Sequence, residues 1–365
     1  MLRPNPNIAG LMPATHGGIN YAELRKAGVS PENLLDFSVS TNPYGPPPDI
    51  KEAMSQAPID RYPDSESTEL TQTLAKKLNV SSANLIIGSG STELIRMAAI
   101  GYLEAGDMVI VPPHTYGDYE IACRLVGANV KRPFVSAESG FQLNIAAMEK
   151  LIRDQRPKLI FLCNPNNPTG QYLSRKEVQA ILSVSEDCLV ILDEAYIAFT
   201  ENAWSSLDLI REGNLIILRS MTKDYALAGL RLGYAVAAES IITVLKRVRP
   251  PWNVSSVAQA AGIAALNAEG YVEACAVKLR ESKEFLVQEL QRIGCSPLPS
   301  AANFFVVKVK NAAGLRQALL KKSILVRDCS SFGLPNCIRL APRTMTECET
   351  LLSALNRPEV RRYVG

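Results

Sequence analysis

The middle of the chain alternates short, wholly apolar runs with stretches in which apolar residues recur every three or four positions. The first pattern predicts buried strands and the second predicts helices. Strands are expected at Asn84–Ile87, Met108–Val111, Leu159–Cys163, Leu189–Leu192, Leu215–Leu218 and Gly233–Val236. Helices are expected at Ser91–Leu103, Arg175–Ser183 and the long, charged Tyr271–Ile293. Such alternation belongs to β-α units built around a mostly parallel sheet, an α/β fold. Continuously apolar strands such as CLVIL and NLIIL fit a sheet covered on both faces.

Proline and glycine mark the breaks. Asn42–Pro48 (NPYGPPP) separates an N-terminal arm from the first helix, and Arg249–Asn253 (RPPWN) interrupts before another helical pattern. Beyond it, strands near Phe304–Val309 and Ile338–Leu340 predict a second, smaller domain. A chain of 365 residues exceeds one ordinary core. The expected division is a large domain over 41–255, an N-terminal arm over 1–40 and a small α+β domain over 256–365.

Charge narrows the partners. Thirty-nine basic and 36 acidic residues, interspersed, leave a net charge of +3, which offers no footprint for nucleic acid or an anionic membrane. No apolar run approaches the ~20 residues that span a bilayer, and MLRPNPNIAG lacks the order of a signal peptide. A cytoplasmic address is the expectation. The eight cysteines are scattered without a C-x-x-C pair, so they read as reduced thiols. The two histidines, His16 and His114, lie far apart and do not make a zinc site. With no metal expected, the chemistry falls to side chains or an organic cofactor.

Ligands of open α/β sheets bind at the carboxyl edge of the strands, and four polar clusters follow predicted strands there. In the first, Gly90, Ser91 and Thr92 open a helix, where small residues and free N–H groups suit a phosphate; a plain turn with an N-cap is the alternative. In the second, Asn164–Gly170 (NPNNPTG) is a rigid loop whose amides, Asn167 among them, exceed what a turn requires. The third, Asp193–Tyr196 (DEAY), ends an apolar strand in an acid that needs a cationic partner such as a protonated heterocyclic nitrogen. Helix capping is the ordinary alternative for Asp193, and Glu194 reads as a surface acid. The fourth runs from Ser220 through Lys223 to Arg231 and Tyr234. A surface lysine is the ordinary reading of Lys223. Burial beside cations would make it a nucleophile towards an aldehyde, with Ser220 and Arg231 available to a phosphate.

These clusters, in this order, resemble the class I/II aminotransferase family of pyridoxal-phosphate (PLP) enzymes, of fold type I, over nearly the whole chain. The resemblance implies a large domain with a seven-stranded type of sheet. It also implies pyridoxal 5'-phosphate as cofactor, carried by Lys223 as a Schiff base, with Asp193 on the ring nitrogen. Asn167 and Tyr196 would bind the ring hydroxyl. Gly90, Ser91, Thr92, Ser220 and Arg231 would hold the cofactor phosphate, and Tyr116 would stack on the ring, although His114 makes that segment unusual. Tyr62 would reach the cofactor phosphate of a second subunit, implying a homodimer.

Two subfamilies are nearest: histidinol-phosphate aminotransferase of histidine biosynthesis, and threonine-phosphate decarboxylase, a lyase of cobalamin side-chain synthesis. The arm with His16-Gly-Gly, followed by LLDFSVSTNPYGPPP, and the segment ILVRDCSSFGLPNCIRLAPRT are more similar to the decarboxylase. Decarboxylation of phosphothreonine is therefore the leading expectation, with histidinol-phosphate transamination as the alternative. Ser40 departs from both, standing where they usually carry asparagine, whereas Asn42 is retained. By the same resemblance Arg339 would grip a substrate carboxylate, and Arg327, helped by His16, would meet a substrate phosphate. A ligand-sensing homologue without turnover is the non-enzymatic alternative, but it would be expected to lose Lys223 or Asp193.

Overall fold

The computed structural model describes residues 2–364. Its main sheet has seven strands, in the spatial order Leu85–Gly88, Gly233–Ala237, Leu215–Ser220, Leu189–Asp193, Leu159–Cys163, Met108–Ile110 and Asn129–Lys131. Residues of consecutive parity feed opposite cores. Ile160, Leu162, Val190, Leu192, Leu215 and Ile217 face one layer, while Leu159, Phe161, Leu189, Ile191, Ile216 and Leu218 face the other. Both faces are covered by helices, which explains why these strands are apolar throughout rather than alternating.

Every strand pair is parallel except those made by Gly233–Ala237, which runs antiparallel to both neighbours. The connection from Ser220 to Gly233 holds only a short 3₁₀ turn, Ala228–Leu230, and no crossover helix. A parallel return would need such a crossover, so the chain folds straight back. The edge strand Asn129–Lys131 went unpredicted because it is short and two of its three residues are exposed and polar.

The smaller unit is an antiparallel sheet in the order Arg327–Asp328, Cys337–Leu340, Phe305–Lys308 and Ser296–Pro297. The arm joins it: Leu35–Asp36 pairs in parallel with Ile324–Leu325, and Phe37 enters its core beside Leu286, Leu340 and Leu351. The helix Tyr271–Arg292 links the two units, since Val272 lies in the large core and Leu286 and Leu290 in the small one. The helix Ser256–Asn267, placed beyond the expected boundary at 255, packs on the large unit. Its Ala258, Ala261 and Ala265 share a core with Ile50, Leu70 and Leu74. A β-carbon at Gly262 would lie 2.6 Å from Leu232 and 3.0 Å from Leu70, so glycine permits this close approach. Alanine and glycine at the interface let helices pack closely, a feature that proline punctuation does not reveal.

All eight cysteines are buried free thiols. Among the described residues no helix is long and apolar enough to cross a membrane, and no cluster of metal-ligating side chains occurs.

Candidate active site

Register brings the strand-end clusters together. Gly88, Gly233 and Ser220 lie in one row across three strands, and Cys163, Asp193 and Leu218 in another. Gly233 is required where it stands, because a β-carbon there would meet the Ser91 amide nitrogen at 2.8 Å and the Arg219 carbonyl at 3.0 Å. The helix Ser91–Tyr102 thus starts directly over the sheet edge, and no side chain caps its N-terminus. Its first amide groups are available to an anion. Gly90, at φ +77°, leaves room for the Arg231 guanidinium, which a β-carbon would approach to 2.9 Å. Ser220 and Thr222 share a hydrogen bond between their hydroxyls at 2.7 Å. With Ser91, Thr92 and Arg231 they line one end of a small cavity.

The other end of the cavity is set by Asp193, which is 4 % exposed. Its Oδ1 accepts from the Ala195 amide at 3.0 Å, and its Oδ2 accepts from the Tyr119 hydroxyl at 2.7 Å. Burial pushes this carboxyl up to about 6, against the pull of those two donors. No cationic side chain forms an ion pair with Asp193 among the described residues. Glu194, by contrast, is no surface acid: it is 2 % exposed and accepts two hydrogen bonds from the Arg219 guanidinium, at 3.0 and 2.8 Å.

Lys223 lies between these ends, with its Nζ 6.0 Å from the centre of the Tyr196 ring. Burial, then repulsion from Arg339 and Arg231, brings its amine down to about 8, with Asp193 opposing. Tyr116 fixes its ring through a hydrogen bond between its hydroxyl and that of Thr92 at 2.9 Å. Of the three amides in NPNNPTG, only one reaches the cavity. Asn164 bonds to Leu173 through both its oxygen and its nitrogen, and Asn166 is held by Thr115, His114 and Thr169. Asn167 alone lines the cavity, where its Oδ1 accepts from Arg339.

This cavity opens into a cleft of about 830 Å³ lined by Lys223, Tyr196, Ser40, His16, Arg327 and Arg339. Arg327 and Arg339 sit directly opposite one another on antiparallel strands. They are 6 % and 5 % exposed, and neither forms an ion pair among the described residues. Arg339 donates to the Ser38 carbonyl at 2.6 Å and lies over Phe304. Arg327 donates to the Thr15 carbonyl at 2.6 Å and the Ser331 hydroxyl at 2.7 Å. Like charges facing each other across a ladder are destabilising, and here the hydrogen-bond partners are neutral: two backbone carbonyls, the Ser331 hydroxyl and the Asn167 amide oxygen. The pair is suited to an anion.

Two residues named from the sequence stand elsewhere. The Asn42 side chain donates to the Asp224 carbonyl at 3.0 Å and accepts from the Tyr44 amide at 3.1 Å, while its amide N–H donates to the Lys223 carbonyl at 2.8 Å. It braces the lysine's backbone and does not line the cleft. Tyr62 is 75 % exposed, stacked on Trp252 at 4.3 Å, and lies outside its own chain's cavity. His16 reaches the cleft from the arm, with its Nε2 3.1 Å from Asp118 Oδ2 and its ring 5.6 Å from that of Tyr116. His114 does not reach it; its Nδ1 bonds to the Phe332 carbonyl at 2.6 Å. Tyr119, Thr222 and Asp118 were not singled out from the sequence. The one available signal was the spacing of Tyr119, three residues after Tyr116.

The family model for aminotransferase class I and II matches residues 32–355. This chain belongs to the class I and II aminotransferases. It is 37 % identical over 340 residues to a histidinol-phosphate aminotransferase of Moorella thermoacetica, covering 91 % of this chain and 86 % of the relative. The histidinol-phosphate aminotransferase of Sinorhizobium meliloti, solved with pyridoxal-5'-phosphate, superposes with a TM-score of 0.88 at 26 % identity, covering 99 % of this chain and 98 % of that one. The L-threonine-O-3-phosphate decarboxylase of Porphyromonas gingivalis shares the fold, with a TM-score of 0.77 at 24 % identity over 88 % of this chain and 98 % of that one.

Pyridoxal phosphate is the cofactor of this aminotransferase-family enzyme, and the cavity fits it. A buried carboxylate without a cation awaits a protonated ring nitrogen, an uncapped helix end with hydroxyls and Arg231 awaits a phosphate, and an amine of lowered basicity lies between. The Lys223 value carries an expected result. The rate at which apo-protein develops the visible band of bound cofactor should rise about tenfold per pH unit below 8 and level off above it, because only the neutral amine attacks an aldehyde. A stopped-flow profile still rising at pH 10 would show an ordinary, solvated lysine instead.

Proposed function

We propose that this enzyme transaminates a phosphorylated amino compound of the histidinol-phosphate type, and the observation that carries the proposal is the cross-strand pair Arg327 and Arg339. Two guanidinium groups on facing residues converge on one site, which suits a single doubly charged phosphate better than two separated anions. The relatives named histidinol-phosphate aminotransferase support the same reading, at 33–37 % identity over most of the chain. The expectation of decarboxylation rests on the short arm motif and on the segment around Arg327, and those weigh less than similarity along 91 % of the chain.

Bound pyridoxal phosphate supplies an aldehyde for the substrate amine and a protonated heterocycle that withdraws electrons from the bonds at the substrate α-carbon. The residues do the rest. Asp193 would hold the proton on the ring nitrogen, Asn167 and Tyr196 would bind the ring hydroxyl, and Tyr116 would stack on the ring. The amides at Ser91 and Thr92, with Ser220 and Arg231, would anchor the cofactor phosphate. Arg327 and Arg339 would hold the substrate's far end and so orient the bonds at its α-carbon. Lys223, neutral above about pH 8, would remove the proton from the substrate α-carbon as general base and give it to the cofactor's aldehyde carbon as general acid. Tyr62, exposed on its own chain, completes the site of a second subunit in a homodimer.

One observation favours a second reading. His16 of the His-Gly-Gly arm stands at the cleft mouth beside Tyr116 and Asp118, the feature by which the arm resembles threonine-phosphate decarboxylases. A paired assay decides. The enzyme is expected to form glutamate from histidinol phosphate and 2-oxoglutarate, with no carbon dioxide from O-phospho-L-threonine. Carbon dioxide release without glutamate formation would overturn the proposal in favour of the decarboxylase.

A further inference from the structure

Tyr119 is 0 % exposed, and nothing in the chemistry described above uses it. Its ring is clamped from two sides. Phe161 stacks on it with centroids 4.6 Å apart and planes at 13°, and Tyr116 meets it edge-on at 5.4 Å and 78°. The backbone sets the spacing, because the Tyr119 amide bonds to the Tyr116 carbonyl at 3.3 Å as the helix Asp118–Leu125 begins. One turn of chain therefore delivers two rings, one towards the cofactor face and one behind it. The clamped ring has a fixed hydroxyl direction, and that hydroxyl ends 2.7 Å from Asp193 Oδ2. The nearby Cys163 thiol is engaged with the Pro165 carbonyl at 3.3 Å. Asp193 is thus the acceptor to which the buried phenol is committed. Burial, reinforced by the Asp193 charge, holds the phenol neutral, so it always donates.

We propose that Tyr119 is a positioning residue that acts through Asp193, its hydrogen bond keeping a carboxylate rather than a carboxylic acid opposite the cofactor's ring nitrogen. The inference rests on the assignment of Asp193 to that nitrogen. Burial alone drives Asp193 towards the acid, and an acid there would leave the ring nitrogen unprotonated. The hydrogen bond favours the charged form. Without it the shared proton shifts from the ring nitrogen to Asp193 Oδ2, and no other bond changes. A charge-assisted hydrogen bond is strong enough to decide that position.

The Tyr119→Phe variant keeps both ring contacts and removes only the hydroxyl. Apo-protein carrying it is expected to melt within about 3 °C of the parent. Cofactor affinity, measured by equilibrium dialysis, should weaken about tenfold, and the pH at which the bound cofactor's visible band interconverts should shift. In an Asp193→Asn background the same change should add nothing to either readout. Unaltered affinity and spectrum in Tyr119→Phe would overturn the proposal, and so would an equal effect in both backgrounds, which would mark a packing role. If Asp193→Asn alone leaves the spectrum unchanged, the assignment of Asp193 falls and the role of Tyr119 falls with it. If Asp193→Asn alters the spectrum and Tyr119→Phe does not, only the role of Tyr119 falls.

Discussion

The Lys223→Ala variant is expected to lose turnover by at least ~10⁴-fold, since the proposed function has this one residue both attach the cofactor and move the α-proton. Lowered basicity alone does not single this lysine out. Burial also brings the Lys283 amine down to about 8, yet Lys283 donates to the Ser300 and Ala302 carbonyls at 2.6 and 2.8 Å and faces a different crevice. Lys223 instead shares its cavity with Asp193, Asn167 and Arg231. Borohydride reduction of the loaded enzyme, followed by peptide mass spectrometry, should place the cofactor on Lys223 alone, and the alanine variant should stay unlabelled. Label on Lys283, or a protein that remains colourless after the cofactor is added, would sink the assignment.

Removing one arginine of the facing pair should separate activity from stability. Truncating one member of a buried charged contact costs about 2–5 kcal/mol of binding, so Arg327→Met or Arg339→Met should lower kcat/KM roughly 30- to 4000-fold. The apo-protein should not suffer in proportion. Burial and then the charge of Arg339 already depress the basicity of Arg327, and methionine fills comparable volume without the repulsion. The melting temperature of apo Arg327→Met is therefore expected to equal the parent's or exceed it by up to ~3 °C. With the cofactor bound, so that its own phosphate site is filled, inorganic phosphate should raise the melting temperature of the parent and leave an Arg327→Met, Arg339→Met double variant unmoved. A fall of several degrees in the apo-protein, matching the loss of activity, would make the pair a structural element and not an anion site.

The residues proposed to hold the cofactor are legible because each lies within a few positions of an apolar strand's end. Asp193 follows LVIL, Lys223 follows LIILRS, and Ser91 follows LIIG. Burial of a strand and exposure of its end are local consequences of hydrophobic pattern. Asn42 misled for the same reason. Its position near the lysine is real, yet its amide hydrogen bonds to loop backbone, and the choice between ligand and backbone depends on a segment 182 positions away. The division of labour among Asn164, Asn166 and Asn167 was equally closed to inspection, because three identical side chains differ only in the direction in which the loop turns them.

Pattern and punctuation determined that this chain would build a doubly covered, mostly parallel sheet with hydroxyl, amide, carboxylate and amine groups along its carboxyl edge. The tertiary structure decided what those groups meet. Strand register set Arg327 opposite Arg339, helix packing drew Ser256–Asn267 into the large core, and two aromatic contacts aimed Tyr119 at Asp193. The physical reason is range. Hydrophobic periodicity acts within a turn or a strand, whereas the partner of a buried polar group is settled by packing between segments that no short stretch of sequence contains.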